Sequence, residues 1–383
     1  MSHVQAQVEK HYRSELVEKI RAQGGVLQVG NTTIRLAKQF GFCYGVERAI
    51  DLAYAAGKVF ANRRIFLLGE IIHNPDVNAQ MEALGIKYLP ARPTPADLDS
   101  LQEGDVVIVP AFGAEVNVVA DVKARGCQIV DTTCGDVMSV WKRVRQNATE
   151  RVTSIIHGKS THEETRATAS RALGVDGLGH FLIVLNLEEA NRVADFIENG
   201  GDATAFLQSF PGATSPGFNP QEHLQRIGVA NQTTMLRSET ESIQNLLREA
   251  IARRDGSSTA NFRYFDTICG ATQERQDSLF QLLNESLDVL VVVGGYNSSN
   301  TAHLVEIGME KLPTFFIRNA DCMESADHIR HYDLHDKREI SSSAWLPQKQ
   351  HLTIGITAGA SCPNNLIEET IHRILKFRGE ENP

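Results

Sequence analysis

The sequence predicts an α/β protein of three similar lobes built on parallel-type sheets, and three observations predict it. Short β-branched runs alternate with amphipathic helical stretches, as in VVIVPAFG followed by EVNVVADVKARG and LDVLVVVGG followed by TAHLVEIGMEKL. That alternation produces parallel strands covered by helices. The segments QIVDTTCGDV and RYFDTICGAT share Asp-Thr-x-Cys-Gly after a strand-like run and before a helical one, and Cys43 in GFCYGVERAIDLAYAAG opens a helical stretch in the same manner without the Asp-Thr pair.

In chain order, Val4, Val8, Tyr12, Leu16 and Ile20 recur every fourth residue, which predicts one short surface helix with an apolar stripe, ended by Gly24 and Gly25. Residues 1–38 read as an N-terminal extension and a first strand, 39–134 as the first lobe, 135–268 as the second lobe with an insertion, and 269–383 as the third lobe with the C-terminal helix. The Pro/Gly-rich stretch from about Gly200 to Pro220 reads as an insertion or surface loop, and ARPTPAD as another surface connection.

Composition excludes several classes. A charged fraction of 22% and a hydrophobic fraction of 42% are those of a soluble globular protein, and no apolar run approaches a membrane span. With a formal net charge of -9 and dispersed Lys and Arg, the chain lacks a general nucleic-acid surface, so an anionic ligand must be held locally. The N-terminus carries Glu9, Glu15 and Glu18 and resembles neither a secretory leader nor a transit peptide. Together with six cysteines in a chain of this length, that predicts a reducing, cytoplasmic setting in which thiols serve metals or catalysis.

In parallel sheets the ligand-binding loops follow the C-terminal ends of strands. The polar oddities fall there: GFCYG, EIIHNP, DTTCG, HGKSTHEE, ANQTT, DTICG, GGYNSSN and TAGASCP. Cys43, Cys134 and Cys269, each opening a helix, are placed to hold one iron–sulfur cluster, because the helix N-terminus favours a thiolate. Spacings of 91 and 135 residues are unlike ferredoxin or zinc-ribbon pairs, so the repeated context carries this reading. Three thiolates on four irons leave one iron open as a Lewis acid. Cys127, Cys322 and Cys362 lack the context and read as buried residues. Ser298, Ser299 and Asn300 in one loop and Ser361 in another are candidate anion donors or plain helix caps. His73, His157, His162, Glu163 and Glu164 are candidates for phosphate binding and proton transfer, and Thr233 and Thr234 for a relay or a cap.

Taken in order, GFCYGV, IIHN, DTTC, HxE, QTT, DTIC, NSSN and TAGAS resemble the 4-hydroxy-3-methylbut-2-enyl diphosphate reductase family, from about Gly41 to the C-terminal helix. The resemblance implies a pseudo-threefold trefoil of three α/β lobes around a central 4Fe-4S cluster bound by Cys43, Cys134 and Cys269, with one open iron. It implies phosphate contacts from His73, His162, Thr234, Ser298, Ser299, Asn300 and Ser361, a proton donor at Glu164, and a relay at Thr233. The implied reaction is reductive loss of the allylic hydroxyl as water, giving isopentenyl and dimethylallyl diphosphates. The N-terminal extension and longer middle lobe resemble the long form of cyanobacteria and plastids, which implies ferredoxin or flavodoxin as electron donor to a monomer or homodimer.

Two positions depart from the family pattern. Gly113 stands where shorter members carry a phosphate-contacting histidine, and Cys362 stands in place of alanine, where a thiol beside the substrate loop predicts added vulnerability to oxidation. Other readings compatible with the cysteines are a dehydratase or a quinolinate-synthase-like enzyme with an open iron, a non-catalytic redox sensor, and a structural zinc protein.

Overall fold

The structure, a computed structural model, describes residues 2–380. It is α/β with predominantly parallel sheets, and it divides into two compact units: Met1–Ala61 with Glu70–Ile86 and Gly270–Pro383, and Asn62–Gly69 with Lys87–Cys269.

In the first unit a five-stranded sheet runs in the order Val26–Val29, Thr32–Leu36, Leu352–Ala358, Val289–Val293, Thr314–Ile317. Its first pair is antiparallel and the other pairs are parallel. The strand Val289–Val293 is buried along its whole length, which is why it reads as an unbroken apolar run rather than an alternating one. An antiparallel hairpin, His328–Asp333 with Arg338–Ser343, is added.

The N-terminal stripe forms two helices, Ser2–Tyr12 and Glu15–Ala22, instead of one. Ser14 breaks it: its backbone is extended and its hydroxyl accepts from the Val17 N–H, so it caps the second helix. The stripe nevertheless packs as its spacing requires, with Tyr12 and Ile20 buried, and the Tyr54 hydroxyl of helix Tyr44–Val59 donates to that of Tyr12 at 3.2 Å.

The second unit holds two all-parallel sheets. One runs Lys87–Leu89, Ile65–Leu68, Val106–Val109, Gln128–Asp131, and the other Phe262–Tyr264, Ile227–Asn231, Thr153–His157, Phe181–Val184. The stretch from Gly200 to Pro220 is not a simple surface loop. It contains the helix Ala203–Gln208, and Phe206, Phe210, Ala213 and Phe218 are buried in the core beside Leu182, Val193 and Ile227. Ring centroids of Phe196 and Phe206 lie 4.7 Å apart and those of Phe206 and Phe210 4.9 Å apart. Burying each of these rings contributes roughly 2 kcal/mol, more than the Gly and Pro positions around them cost. ARPTPAD likewise includes a one-turn helix, Pro95–Asp99, opened by a Thr94 capping box and anchored by buried Leu98.

The Asp-Thr-x-Cys-Gly repeat occupies equivalent positions. Gln128–Asp131 leads through Cys134 into helix Gly135–Thr149, and Phe262–Tyr264 leads through Cys269 into helix Gly270–Leu282. The repeat is one of backbone, not of side-chain contacts. Asp131 accepts from Thr133, whereas Asp266 pairs with Arg237 and Thr267 bonds Asn231.

Candidate active site

In the first unit three loops at the C-terminal ends of neighbouring parallel strands carry candidate residues. Thr32–Leu36 leads to Cys43, Leu352–Ala358 to Ser361, and Val289–Val293 to Ser298, Ser299 and Asn300. The loops are tied to one another. The Cys43 N–H donates to the Ala360 carbonyl at 3.2 Å, the Ala360 N–H donates to Asn300 Oδ1 at 2.9 Å, and the Ser361 hydroxyl donates to the His73 carbonyl at 3.1 Å. A Cβ on Gly295 would lie 2.2 Å from that same carbonyl oxygen, so this loop requires glycine to seat against His73.

Among these residues Ser298 is a helix cap, its hydroxyl accepting from the Thr301 N–H at 3.3 Å. Ser361 is not a cap; Pro363 occupies that position for helix Asn364–Arg378. Asn300 is 2% exposed, and its Nδ2 has no hydrogen-bond partner among the described residues. A buried amide donor left this way costs about 1–3 kcal/mol, which an anionic ligand oxygen would recover.

In the second unit Thr153–His157, Ile227–Asn231 and Phe262–Tyr264 lie side by side, and the loops after them carry His162 and Glu164, Thr233 and Thr234, and Cys269. His162 caps helix Glu163–Ala172, its Nδ1 accepting from the Glu164 N–H at 3.2 Å. Because Nδ1 accepts, the neutral ring carries its proton on Nε2, as a donor. Glu164 is 2% exposed, and both its oxygens are engaged by Thr233, Oε1 by the backbone N–H at 2.6 Å and Oε2 by the hydroxyl at 3.0 Å. The Thr233 carbonyl in turn accepts from the Cys269 N–H at 3.1 Å. Glu163 is only partly buried and lines a small cavity of about 40 Å³ with Arg92, Phe112, Glu115 and Arg166. Thr233 and Thr234 do not cap the following helix, whose N-cap is Leu236. His157 lies at a strand end with Nδ1 2.8 Å from the Thr240 hydroxyl, inside the core.

The three cysteines share a setting. Cys43 and Cys134 are N-caps that make no side-chain cap bond, and Cys269 directly precedes its helix. The backbone N–H of each is fixed by a carbonyl of a neighbouring loop: Ala360 for Cys43, Ala111 for Cys134, Thr233 for Cys269. All three are partly exposed, whereas Cys127, Cys322 and Cys362 are buried. Partly exposed thiols at helix starts suit a soft metal centre, since the helix dipole and nearby N–H groups favour thiolate sulfur.

The two departures have structural explanations. Gly113 has φ +82, and a Cβ there would lie 2.3 Å from Cζ2 of Trp141, so the tryptophan occupies the space a histidine side chain would need. The Arg171 guanidinium stacks 3.2 Å over the Trp141 ring and donates to the Ala114 and Ala167 carbonyls. Burial, with Arg145 nearby, lowers Arg171 to about 10. Cys362 is fully buried, and burial, reinforced by Asp76 and Glu369, pushes its thiol well above the usual range. A neutral, enclosed thiol is a poor target for oxidants, contrary to the vulnerability its sequence position predicts.

Sequence reasoning passed over residues that hold these loops. Gln232 Oε1 accepts from the Thr165 hydroxyl and the Lys159 N–H, while its Nε2 donates to the Thr234 hydroxyl at 2.8 Å. Arg275 donates twice to the Gly41 carbonyl, fixing the turn before Cys43. Glu70 lies 2.9 Å from His73 Nδ1. Glu70 and Gln232 stand inside the quoted motifs EIIHNP and QTT, so their position was a usable signal; nothing local marks Arg275.

Comparison with known proteins gives one family. The LytB protein family pattern matches residues 34–375. The 4-hydroxy-3-methylbut-2-enyl diphosphate reductase of Gloeobacter violaceus is 48% identical over 98% of this chain and 90% of its own length, and that of Thermosynechococcus vestitus 47% identical over 98% and 92%. The solved structure of (E)-4-hydroxy-3-methyl-but-2-enyl diphosphate reductase, described as the terminal enzyme of the non-mevalonate pathway, is 26% identical with a TM-score of 0.55, covering 91% of this chain and 100% of that one. The reductase structure from Plasmodium falciparum shares the fold at a TM-score of 0.64 and 21% identity, over 89% and 87% of the two chains. This chain belongs to the LytB family, whose relatives named here are 4-hydroxy-3-methylbut-2-enyl diphosphate reductases.

Proposed function

We propose that this chain converts 4-hydroxy-3-methylbut-2-enyl diphosphate to isopentenyl and dimethylallyl diphosphates, consuming two electrons and two protons and releasing the allylic hydroxyl as water. The observation that carries the proposal is the buried carboxyl of Glu164, gripped at both oxygens by Thr233, whose carbonyl holds the Cys269 N–H. It joins an acid, a hydroxyl relay and a candidate metal ligand in one hydrogen-bonded series.

Cys43, Cys134 and Cys269 would hold one 4Fe-4S cluster, leaving one iron without a thiolate. When bound, the cluster supplies the electrons and a Lewis-acidic iron. The residues around it bind, orient and protonate. Asn300 Nδ2 and the hydroxyls of Ser298, Ser299, Ser361 and Thr234 are neutral donors for diphosphate oxygens, joined by the Nε2–H of His162 and by His73. In the proposed relay the Thr233 hydroxyl, which donates to Glu164 Oε2 in the structure, turns to give its own proton to the departing hydroxyl while its oxygen takes a replacement proton from Glu164 Oε2. Burial of the pair keeps bulk water away from that proton.

The proposal includes an acidic one-electron carrier, ferredoxin or flavodoxin, as donor, a cytoplasmic location, a monomer or homodimer, and a division into lobes at residues 39–134, 135–268 and 269–383. No helix of the described residues is long and apolar enough to cross a membrane.

The test is to purify the protein without oxygen, measure iron and the visible spectrum, and supply reduced mediator with the substrate. Brown protein yielding both five-carbon diphosphates is the expected result. Brown protein that turns over a hydroxy acid without reductant would replace this reading with a dehydratase, and protein that stays colourless after reconstitution would remove the cluster.

A further inference from the structure

The loop that carries Ser298, Ser299 and Asn300 leaves the buried strand Val289–Val293 through Gly294 and Gly295, so Tyr296 is its first side chain able to tie it to a neighbour. That tie is made to the hairpin of His328–Asp333 with Arg338–Ser343. Tyr332 and Glu339 stand opposite one another on its two strands, which puts their side chains on one face. The Tyr332 ring stacks on that of Tyr296, with centroids 4.7 Å and planes 23° apart, and the Tyr296 hydroxyl donates to Glu339 Oε2 at 2.9 Å. The buried Phe316 ring meets both tyrosines edge-on, at 5.1 Å from Tyr296 and 5.8 Å from Tyr332. One cross-strand pair of the hairpin therefore holds both the ring and the hydroxyl of Tyr296.

We propose that this hairpin is a clamp on the diphosphate loop, with Tyr296, Tyr332 and Glu339 as positioning residues that keep Ser298, Ser299 and Asn300 arranged for the anion before it arrives. This rests on the reading of those three residues as diphosphate donors. The hairpin is itself held without help from Tyr296. Ile329 and Trp345 are buried near its base, and the Trp345 Nε1–H donates to the Ser325 carbonyl at 2.9 Å. Arg330 donates to Glu339 Oε1 at 2.8 Å and, with its other nitrogens, to Glu324 at 2.8 Å and the Asp321 carbonyl at 3.2 Å. Burial alone would push the Glu339 carboxyl up, but the Tyr296 hydroxyl and Arg330 hold it below the usual carboxylate range, so it stays an ionised acceptor at neutral pH.

A loose loop has to be ordered by its ligand, and that ordering is subtracted from the binding free energy; a loop held in advance keeps the difference. Tyr296 and Glu339 act through the loop and touch no reacting atom, so the clamp strengthens ground state and transition state alike. Its loss is felt in KM and not in kcat. The Glu339 side chain is 29% exposed, so removing its bond weakens the clamp without threatening the fold.

The experiment uses the iron-loaded enzyme, with iron content and visible spectrum checked in each variant, and reads KM and kcat with the substrate and Kd for inorganic diphosphate by calorimetry. Tyr296→Phe keeps the stacked ring and removes the hydroxyl, and Glu339→Ala removes its acceptor. Each should raise KM and Kd by about fivefold with kcat within about twofold of wild type. The double variant should be no worse than the poorer single, because both changes remove one bond. Glu339→Gln, whose carboxamide oxygen still accepts from Tyr296, should restore most of the affinity. Unchanged KM and Kd in both single variants, additive losses in the double, or a fall in kcat as large as that in kcat/KM would overturn the clamp. Asn300→Ala separates the two readings: if it leaves KM and Kd unchanged, the loop is no diphosphate contact and the clamp falls with that reading. If it raises both while Tyr296→Phe and Glu339→Ala match wild type, only the clamp fails.

Discussion

Thr233 grips the carboxylate of Glu164 with two donors, its backbone N–H at 2.6 Å from Oε1 and its hydroxyl at 3.0 Å from Oε2. The backbone bond fixes the orientation of the acid, and the hydroxyl is the group through which the proposed relay would move its proton.

Glu164→Gln keeps the shape and removes the proton. Turnover with reduced mediator should fall by about 10² or more, the usual range for a lost general acid, while iron content and spectrum stay as in wild type. Retention of more than a tenth of the activity would show that Glu164 is not the donor.

Gln232 is 1% exposed, and its carboxamide serves three partners at once. Gln232→Ala leaves the buried Thr165 hydroxyl and the Lys159 N–H without an acceptor and releases Thr234, so unfolding free energy should drop by about 2–3 kcal/mol. A denaturation midpoint equal to that of wild type would contradict this account of the loop.

Gly113→His should not restore a family contact. With φ +82 and Trp141 against the new Cβ, it should cost about 3 kcal/mol or more in a urea titration, whereas the double change Gly113→His with Trp141→Ala should recover part of that loss. A stable single variant with tighter substrate binding would mean that the Trp141 ring moves freely.

Cys362→Ala should leave the rate of activity loss in air unchanged, and Cys362 should resist alkylation in the folded protein, as its burial requires. Mass-spectrometric labelling of Cys362 at the rate of an exposed thiol would refute this.

Asp105 sits in the second unit under two bonds from Arg64, at 2.9 and 2.5 Å. Burial alone would push its carboxyl up, but Arg64 and the Gln102 N–H together hold it below the usual carboxylate range. A depressed folded-state value means that stability is present above the ordinary aspartate range and is lost as pH falls through the lowered value. The acid limb of the stability curve should therefore be shallower in Asp105→Asn than in wild type, with the variant less stable at neutral pH; superimposable curves would exclude the pair as a source of acid lability.

The sequence by itself determined the fold class and the positions of most candidate residues. Strand runs such as VLVVV and the repeated Asp-Thr-x-Cys-Gly are local signals, and a strand followed by a turn and a helix needs few distant contacts to be recognised. It also placed Cys43, Cys134, Cys269 and Ser361 in loops after strands, where parallel sheets keep their chemistry.

What only the tertiary structure decided were matters of who faces whom. Glu163 and Glu164 are adjacent and chemically alike, yet one turn of helix Glu163–Ala172 buries the second against Thr233 and leaves the first at a cavity rim. The stretch from Gly200 to Pro220 looked like a loop because its Gly and Pro residues signal turns, but burial of the Phe206, Phe210 and Phe218 rings overrides that local preference. Glu70 and Gln232 stand inside legible motifs and Arg275 does not, but the partners through which all three act lie 67 or more residues away, where no local pattern records them. Local patterns encode elements because hydrogen bonding and alternation act over a few residues; a proton's position depends on the group that folding brings against it.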